Sequence, residues 1–278
     1  MAGIVAMSLT YAPALIAQDV AKDKAGYHLF NPTPEHLMRP LAADRPDATE
    51  SPITVDAGHA QIEISFLSYS RSSAGGDEVE AWTVLDANVK LGLLDNVDLQ
   101  FVFGVYGEES IDPVGGPETN LQGFGDLQIR TKVNLWGNDG GKTAFGVMPF
   151  VKVPTSTELS NGEVEGGIIA MLGWDAGDTW GLGFQAEVDF VYDEAEDDLD
   201  TEFSHTAVLG FEVTEPLGAY LEYVGVVSPG SEADYQVVLS TGLTYALSAD
   251  VVLDAGTQIG LIDSAVDLSL FVGTTLRF

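Results

Sequence analysis

Residues 126–136 alternate polar and apolar side chains at every step, and this pattern limits the folds that the chain can adopt. Successive side chains of a β-strand point to opposite faces, so the alternation predicts a strand with two different faces. The polar face carries Asp126, Gln128, Arg130, Lys132 and Asn134, and the apolar face carries Leu127, Ile129, Thr131, Val133 and Leu135. A Gly-Asn-Asp-Gly-Gly turn at residues 137–141 then leads into a second predicted strand, residues 142–153, which completes a hairpin.

The same alternation recurs along the chain and predicts about twelve strands. The predicted strands are residues 61–69, 81–91, 97–106, 126–136, 142–153, 166–174, 180–192, 203–213, 219–227, 235–245, 250–261 and 266–278. Short turns at residues 94–96, 137–141, 175–178, 215–218 and 247–250 alternate with longer polar loops at residues 71–80, 108–122, 154–165, 193–201 and 228–234. This asymmetry is typical of bacterial outer-membrane barrels, and an even number of strands would bring both termini to the periplasm.

A soluble β-sandwich would also alternate, so two further features decide between these fold classes. All the predicted strands have nine to thirteen residues, which suits a tilted bilayer crossing better than the short strands of soluble sheets. The last strand ends in a terminal aromatic residue that resembles the assembly signal of outer-membrane proteins: Phe278 shares its face with Val266, Leu268, Leu270, Val272, Thr274 and Leu276. We therefore predict an all-β fold, a transmembrane antiparallel β-barrel, which must be closed because lipid does not tolerate open sheet edges.

Composition excludes several other classes of protein. Of the 278 residues 45% are hydrophobic, which is too high a fraction for a disordered chain. No run of eighteen apolar residues follows the first twenty residues, so a helical membrane protein is excluded. The 43 acidic and 11 basic residues give a net charge of −32, which argues against a nucleic-acid partner. The absence of cysteine excludes disulfides and thiolate metal sites.

The N-terminal part of the chain does not share the alternation. Residues 1–17 are apolar and of signal-peptide length, although they lack the usual Lys or Arg. We predict that they form a secretory signal peptide, truncated at its start. The alternative is a short buried helix. Residues 18–58 are predicted to be an irregular periplasmic segment, and residues 59–278 the barrel. The irregular segment has no sustained period and contains Pro32, Pro34, Pro40, Pro46 and Pro52. One hypothesis is that residues 18–52 fold back into the lumen as a plug.

Two motif blocks and one N-terminal segment resemble a known family. Residues 43–58 read ADRPDATESPITVDAG. The first block consists of Gly125, Asp126, Arg130, Lys132, Asn134 and Leu135, and the second of Pro149, Phe150, Val151, Lys152, Pro154 and Thr155. In this order they resemble the bacterial outer-membrane family named after the meta-pathway of phenol degradation, over residues 43–278. The resemblance implies an outer-membrane barrel and a transport function, and it identifies no substrate.

If the apolar strand faces meet lipid, the polar faces line the lumen. The candidate lumen-lining and selectivity residues are Lys90, Asp126, Arg130, Lys132, Lys152, Glu187, Asp189, Glu222 and Asp254. The bases concentrate on the second, fourth and fifth predicted strands and the seventh to eleventh carry acids only, so a field would cross a water-filled lumen. Asp126 falls opposite Lys152 across the hairpin, which predicts a cross-strand ion pair. Two interpretations stay open: a charged pore, and a salt-bridge network that fills the barrel.

No catalytic set is found, and we predict that the protein is not an enzyme and holds no cofactor or metal. No Gly-x-Ser-x-Gly elbow accompanies the four histidines, His28, His36, His59 and His205. A Ser160-Asn161-Gly162 sequence resembles part of an outer-membrane phospholipase motif but lacks the histidine two residues before it. The acidic loop at residues 193–200 lacks the spacing of a known calcium loop.

The sequence therefore predicts an outer-membrane channel or transporter, with both termini periplasmic, for passive passage of small molecules, with hydrophobic or aromatic compounds as candidates. The alternative is a non-conducting barrel with a structural or surface-interaction role. The predicted partners are small-molecule solutes, outer-membrane lipid and lipopolysaccharide, and the barrel-assembly machinery through Phe278.

Overall fold

A computed structural model describes residues 24–73, 77–177, 179–193, 196–228 and 234–278. The predicted signal peptide, residues 1–17, lies outside these ranges. The described residues form a short 3-10 helix, Glu35–Leu37, and thirteen strands: β1 (Ala60–Ser72), β2 (Glu78–Leu94), β3 (Val97–Asp112), β4 (Thr119–Gly123), β5 (Leu127–Trp136), β6 (Thr143–Val153), β7 (Glu165–Gly177), β8 (Trp180–Asp193), β9 (Asp198–Thr214), β10 (Leu217–Ser228), β11 (Asp234–Ser248), β12 (Val251–Gly260) and β13 (Leu268–Arg277).

The strands form one closed antiparallel sheet. β1 pairs with both β2 and β13, and β2 also pairs with β3, so the ring has no free edge. Both β4 and β5 pair with β3, and they share one register, because Gly107 is opposite Gly123 and Val102 is opposite Gln128. β4 and β5 therefore occupy a single position in the ring. The prediction of a twelve-stranded barrel is confirmed, with β4 as one extra strand segment.

The two faces of the barrel wall have opposite chemistry. Large hydrophobic side chains such as Leu221, Leu243 and Ile259 are exposed on the outside, whereas buried side chains in the described part are more often polar or charged than hydrophobic. A soluble domain has the reverse arrangement, so the outer surface is suited to lipid. No helix in the described part of the chain is long and apolar enough to cross a membrane.

Pairs of aromatic side chains lie near one rim of the apolar outer surface. Near the end that carries the short turns, Trp136 stacks on Phe145 with ring centroids 4.8 Å apart, and Trp180 stacks on Phe211 at 5.2 Å. Such belts mark the membrane interfaces, where amphipathic rings prefer to lie. We call the two ends of the barrel the short-turn end and the long-loop end.

Three predicted long loops are shorter than expected because the strands extend further. The loop expected at residues 108–122 is wrong over most of its length, since β3 continues to Asp112 and β4 begins at Thr119. β1 and β2 likewise extend into residues 71–80, and β9 begins at Asp198. These extensions are short and rich in acidic residues, with single apolar residues such as Val79, Ile111 and Leu199, so their alternation is too brief to be separated from a polar loop although their backbones remain paired. The strand predicted at residues 166–174 is confirmed as β7.

Candidate functional site: the barrel interior and its N-terminal plug

Residues 39–58 run through the barrel interior, and we call this segment the plug. Its backbone and side chains bond to side chains on β1, β2, β3, β5, β8, β9, β10 and β12. Strands on all sides of a closed barrel can share one partner only if that partner lies inside. The hypothesis of an N-terminal plug is therefore correct for residues 39–52, and the plug continues to residue 58, whereas residues 24–38 are largely exposed and contact the turns at one end of the barrel.

Asp44 is the centre of the buried charge in the plug. Its carboxylate accepts hydrogen bonds from Lys132 Nζ at 2.7 and 2.8 Å and forms an ion pair with Lys90. Lys90 also pairs with Glu63 Oε1 at 2.5 Å, and the Asp44 backbone N–H donates to Glu63 at 2.9 Å. Lys90 and Lys132 are only 2% and 1% exposed. Burial alone would raise the pKa of Asp44, but Lys132 and Lys90 hold it well below its usual range.

Acids of β10 and β12 anchor the plug at another part of the wall. Arg45 donates to both carboxylate oxygens of Asp254, at 2.7 and 3.2 Å. Glu222 accepts from the backbone N–H and the hydroxyl of Thr49, at 2.8 and 2.7 Å, and from the Ala48 N–H. Charged and hydroxyl groups thus hold the plug at several places on the wall. The buried carboxylates of Asp254 and Glu222 are matched by an opposite charge or by N–H donors, whereas Asp47 of the plug has one buried carboxylate oxygen without a hydrogen-bond partner among the described residues.

Glu50 connects the plug to β5 and β8. Arg130 Nη1 donates to Glu50 Oε1 at 2.7 Å, and the Glu50 backbone N–H donates to Gln185 at 2.7 Å. Burial and the neighbouring charge of Asp44 raise the pKa of Glu50 to about 8, against the opposing effects of Arg130 and Lys132. Glu50 is therefore a plug group whose charge changes near neutral pH.

At the short-turn end a second charged cluster fixes the plug where it leaves the barrel. Arg39 pairs with Asp56 at 3.1 Å, with Asp139 at 3.0 Å, and with Asp95. Lys24 pairs with Asp56 at 3.1 Å and Asp139 at 2.5 Å. Burial acts to raise the pKa of Asp139, but Lys24 and Arg39 lower it below its ordinary value. Two turns between strands, which contain Asp95 and Asp139, are thus tied to the segment inside.

Backbone contacts also require small residues in the wall. A Cβ on Gly92 of β2 would lie 2.0 Å from the carbonyl oxygen of Asp56, so the plug backbone can pass only a glycine at this position. Pro52 packs beside Gly146 and Gly173, close to an inner apolar patch of Met148, Ile169, Met171 and Phe150. The plug therefore rests on polar strands at one side and on an apolar patch at another.

The structure places the nine predicted lumen residues on the inner side of the wall, in three groups. Lys90, Arg130, Lys132, Glu222 and Asp254 contact the plug. Asp126 and Lys152 lie apart from it, and their ion pair of 3.1 Å is as predicted, although Gln128 rather than Asp126 is directly opposite Lys152. Lys152 also pairs with Glu165 at 2.7 Å.

Glu187 and Asp189 on β8 form the third group. None of the ion pairs among the described residues includes either carboxylate, and the cross-strand neighbour of Asp189 is another acid, Glu202. Gln185 donates to Glu187 at 2.9 Å, whereas Asp189 Oδ1 is buried without a hydrogen-bond partner. The inner wall around β8 and β9 is therefore acidic and not neutralised by bases.

The remaining predicted candidates for chemistry lie apart from each other. His205 is hydrogen-bonded to Tyr223 at 3.2 Å on the outer side of the wall, and His59 contacts the backbone oxygens of Thr33 and Phe278. Among the described residues no group of three or more His, Asp or Glu side chains is placed to hold a metal ion.

Sequence reasoning missed the charged residues of the plug itself. Asp44, Arg45 and Glu50 make ion pairs with barrel residues, and Arg39 with Asp56 closes the short-turn end. The signal in the sequence was the number of charged residues in this proline-rich segment. The predicted inner faces of the strands carry charges of the opposite sign, with which these residues could pair.

These features define a class of protein: an outer-membrane β-barrel whose polar lumen holds its own N-terminal segment. The family is shown by a family model described as "Putative MetA-pathway of phenol degradation", which matches residues 43–278, and the chain belongs to this family. The predicted resemblance is therefore confirmed over the range that the sequence indicated. No curated protein is significantly similar to the chain in sequence.

Solved structures share the fold at low sequence identity. The crystal structure of the COG4313 outer membrane channel from Pseudomonas putida F1 has a TM-score of 0.63 and 14% identity, over 85% of this chain and 100% of that chain. The NanC porin has a TM-score of 0.51 and 9% identity, over 79% of this chain and 100% of that chain. The β domain of the Bordetella autotransporter BrkA has a TM-score of 0.51 and 13% identity, over 79% of this chain and 98% of that chain. All three are outer-membrane barrels, and at these identities they show the fold alone.

Proposed function

We propose that the protein is a channel for passive passage of small molecules across the outer membrane, with hydrophobic or aromatic compounds as candidate solutes. The observation that carries the proposal is the charged inner wall. A barrel filled only for stability would be at least as stable with an apolar core, because buried ion pairs barely repay their desolvation. A polar wall is instead compatible with water and dissolved solutes. The name of the family and the channel title of the Pseudomonas structure support this proposal.

The plug would determine which solutes pass. Its acids Asp44 and Glu50 pair with the bases of β2 and β5, while Glu187 and Asp189 on β8 form no ion pair with a base among the described residues. The remaining field is therefore negative, and it should favour neutral or cationic solutes over anions. In this proposal all nine lumen residues affect selectivity, and the five that contact the plug do so by holding it in place.

The proposal includes an orientation and partners. Short turns face the periplasm in outer-membrane barrels, so the short-turn end and both termini would be periplasmic. The apolar outer surface would contact outer-membrane lipid and, at the long-loop end, lipopolysaccharide. Phe278 is 66% exposed, which leaves its ring free to be recognised by the barrel-assembly machinery. The separation of the histidines supports a role without catalysis.

The test compares the full chain, a variant that lacks residues 24–58, and Arg130→Gln/Lys132→Gln in planar bilayers. We expect small conductance steps from the full chain and larger steps from the truncated barrel, since its lumen would fill with water. Growth on an aromatic substrate should fall in a strain that lacks the gene and return when it is restored. A gel-mobility shift on heating checks that each variant is folded.

A non-conducting structural barrel is the second candidate, and the dense ion pairs of the plug favour it. It predicts no conductance steps from the full chain, unchanged uptake in Arg130→Gln/Lys132→Gln, and equal growth of both strains. That combination would overturn the channel proposal.

A further inference from the structure

A cavity of about 350 Å³ lies beside the plug toward the long-loop end, and we call it the hydroxyl cavity. Arg45 and Pro46 of the plug bound it on one side, and residues of β1, β2, β12 and β13 form the rest of the lining. Its volume is within the range of sites that hold small molecules. A molecule in this cavity would contact the plug directly.

The lining combines hydroxyl groups with apolar surface. The polar residues toward the cavity are Ser68, Ser70, Thr83, Gln258 and Ser269, and rings of Pro46 and Phe271 supply apolar contact. None of the described residues that line it is Asp or Glu, although the chain has 43 acidic residues. The cavity is therefore a neutral, hydrogen-bonding site in a strongly acidic protein.

Arg45 is the one charged residue of the described lining, and its charge is already balanced. Its guanidinium donates to Asp254 at 2.7 and 3.2 Å and to Ser65 Oγ at 2.5 Å. Three of its five N–H groups are thus used, and the remaining two can donate to a neighbouring oxygen. A charged solute would lose hydration here without gaining a free counter-charge, whereas a neutral hydroxyl loses little.

We propose that the hydroxyl cavity binds small uncharged molecules that carry neighbouring hydroxyl groups on a compact hydrocarbon ring. The ring packs on Pro46 and Phe271, and its hydroxyls exchange hydrogen bonds with the Ser, Thr and Gln side chains and with Arg45. This inference rests on the proposed channel function, because the solute would enter the cavity from the long-loop side of the barrel. Ring diols of aromatic or saturated type share this chemistry, and the test separates them.

Isothermal titration calorimetry on the full chain in lipid nanodiscs measures binding of benzene-1,2-diol and cyclohexane-1,2-diol. 1,2-Dimethoxybenzene, which keeps the ring but loses the donors, and benzoate, which carries a charge, are the ligand controls. We expect at least one diol to bind at least tenfold more tightly than either control, because each hydrogen bond lost to an unmatched group weakens binding by about this factor. Binding of only one diol identifies the ring type.

Variants locate the site. Ser68→Leu and Ser70→Leu fill the cavity from β1 and should each weaken diol binding at least tenfold, with Ser269→Leu on β13 as a third variant if either fails to fold. Ser204→Leu is the matched control, because Ser204 lies on β9 on the opposite wall. Absence of diol binding in the full chain, equal binding of dimethoxybenzene or benzoate, or an equal loss in Ser204→Leu would overturn the proposal.

The outcomes for the two proposals are separate. Diol binding by a protein that shows no conductance and no effect on growth would reject the channel function and leave the binding site standing. Conductance without diol binding would reject the site and leave the channel function standing.

Discussion

Replacing Asp44 by Asn tests whether buried charge holds the plug in the barrel. Asp44 neutralises Lys90 and Lys132, which are 2% and 1% exposed. With Glu63, the cluster contains two acids and two bases, so the substitution leaves one excess buried positive charge, and the remaining acidic partner of Lys132 is the more distant Glu50, with Nζ 3.8 Å from Oε2. Removing one member of a buried ion pair destabilises the structure that contains it by about 3–5 kcal/mol, and here that structure is the docked plug. At about 1.4 kcal/mol per factor of ten, the ratio of undocked to docked plug should rise by roughly two to four powers of ten.

The absence of cysteine in the chain provides the assay, because any introduced thiol is unique. Ala43 is 2% exposed, so Ala43→Cys changes little and its labelling by a maleimide reports undocking. We expect labelling at least a hundredfold faster when Asp44→Asn is added, if the docking equilibrium is faster than labelling. Conductance in planar bilayers should rise in parallel.

Two further variants separate charge from general damage. Lys132→Met combined with Asp44→Asn removes the unpaired charge and should slow labelling again. Asp112→Asn changes an exposed acid at the end of β3 and should leave the rate unchanged. Labelling of Asp44→Asn within twofold of its parent, or faster labelling in the double variant, would refute the electrostatic account.

Three other predictions follow from the plug and the termini. The pKa of Glu50 is raised from 4.5 to about 8, so the protonated side chain stabilises the docked plug at low pH, and this stabilisation is lost as the pH rises from 4.5 to about 8. Conductance of the parent protein should therefore increase over that pH range. Conductance of Glu50→Gln should change less over the same range. Gly92→Ala places a Cβ against the Asp56 carbonyl oxygen and should destabilise the docked plug. Thiol labelling at Ala43→Cys should therefore become at least tenfold faster. Deleting Phe278, which is 66% exposed, should lower the amount of folded barrel in the outer membrane severalfold, while urea unfolding of the refolded protein changes by less than about 0.5 kcal/mol.

Much of the wall could be predicted from the sequence, because strand alternation is a local property. In residues 126–136 each side chain reports its own face, so β5 and its polar side followed directly from the order of residues. The ion pair of Asp126 with Lys152 also followed, since one hairpin turn separates them. Strand ends were predicted less accurately: residues 107–112 contain three acids and a single large apolar residue, Ile111, so the alternation is lost while pairing continues.

The tertiary structure alone decided which charges meet in the interior. Arg45 pairs with Asp254, 209 positions away, and Asp44 meets Lys132 across 88 positions. Such contacts exist only after the barrel closes and the plug enters it, and no local period encodes them. The sequence by itself determined a closed barrel with a charged inner face, because the pattern of each strand is enough to define its two surfaces. The structure decided that the plug neutralises the basic part of that face and leaves the β8 acids unpaired, because closure sets the distances between distant charges.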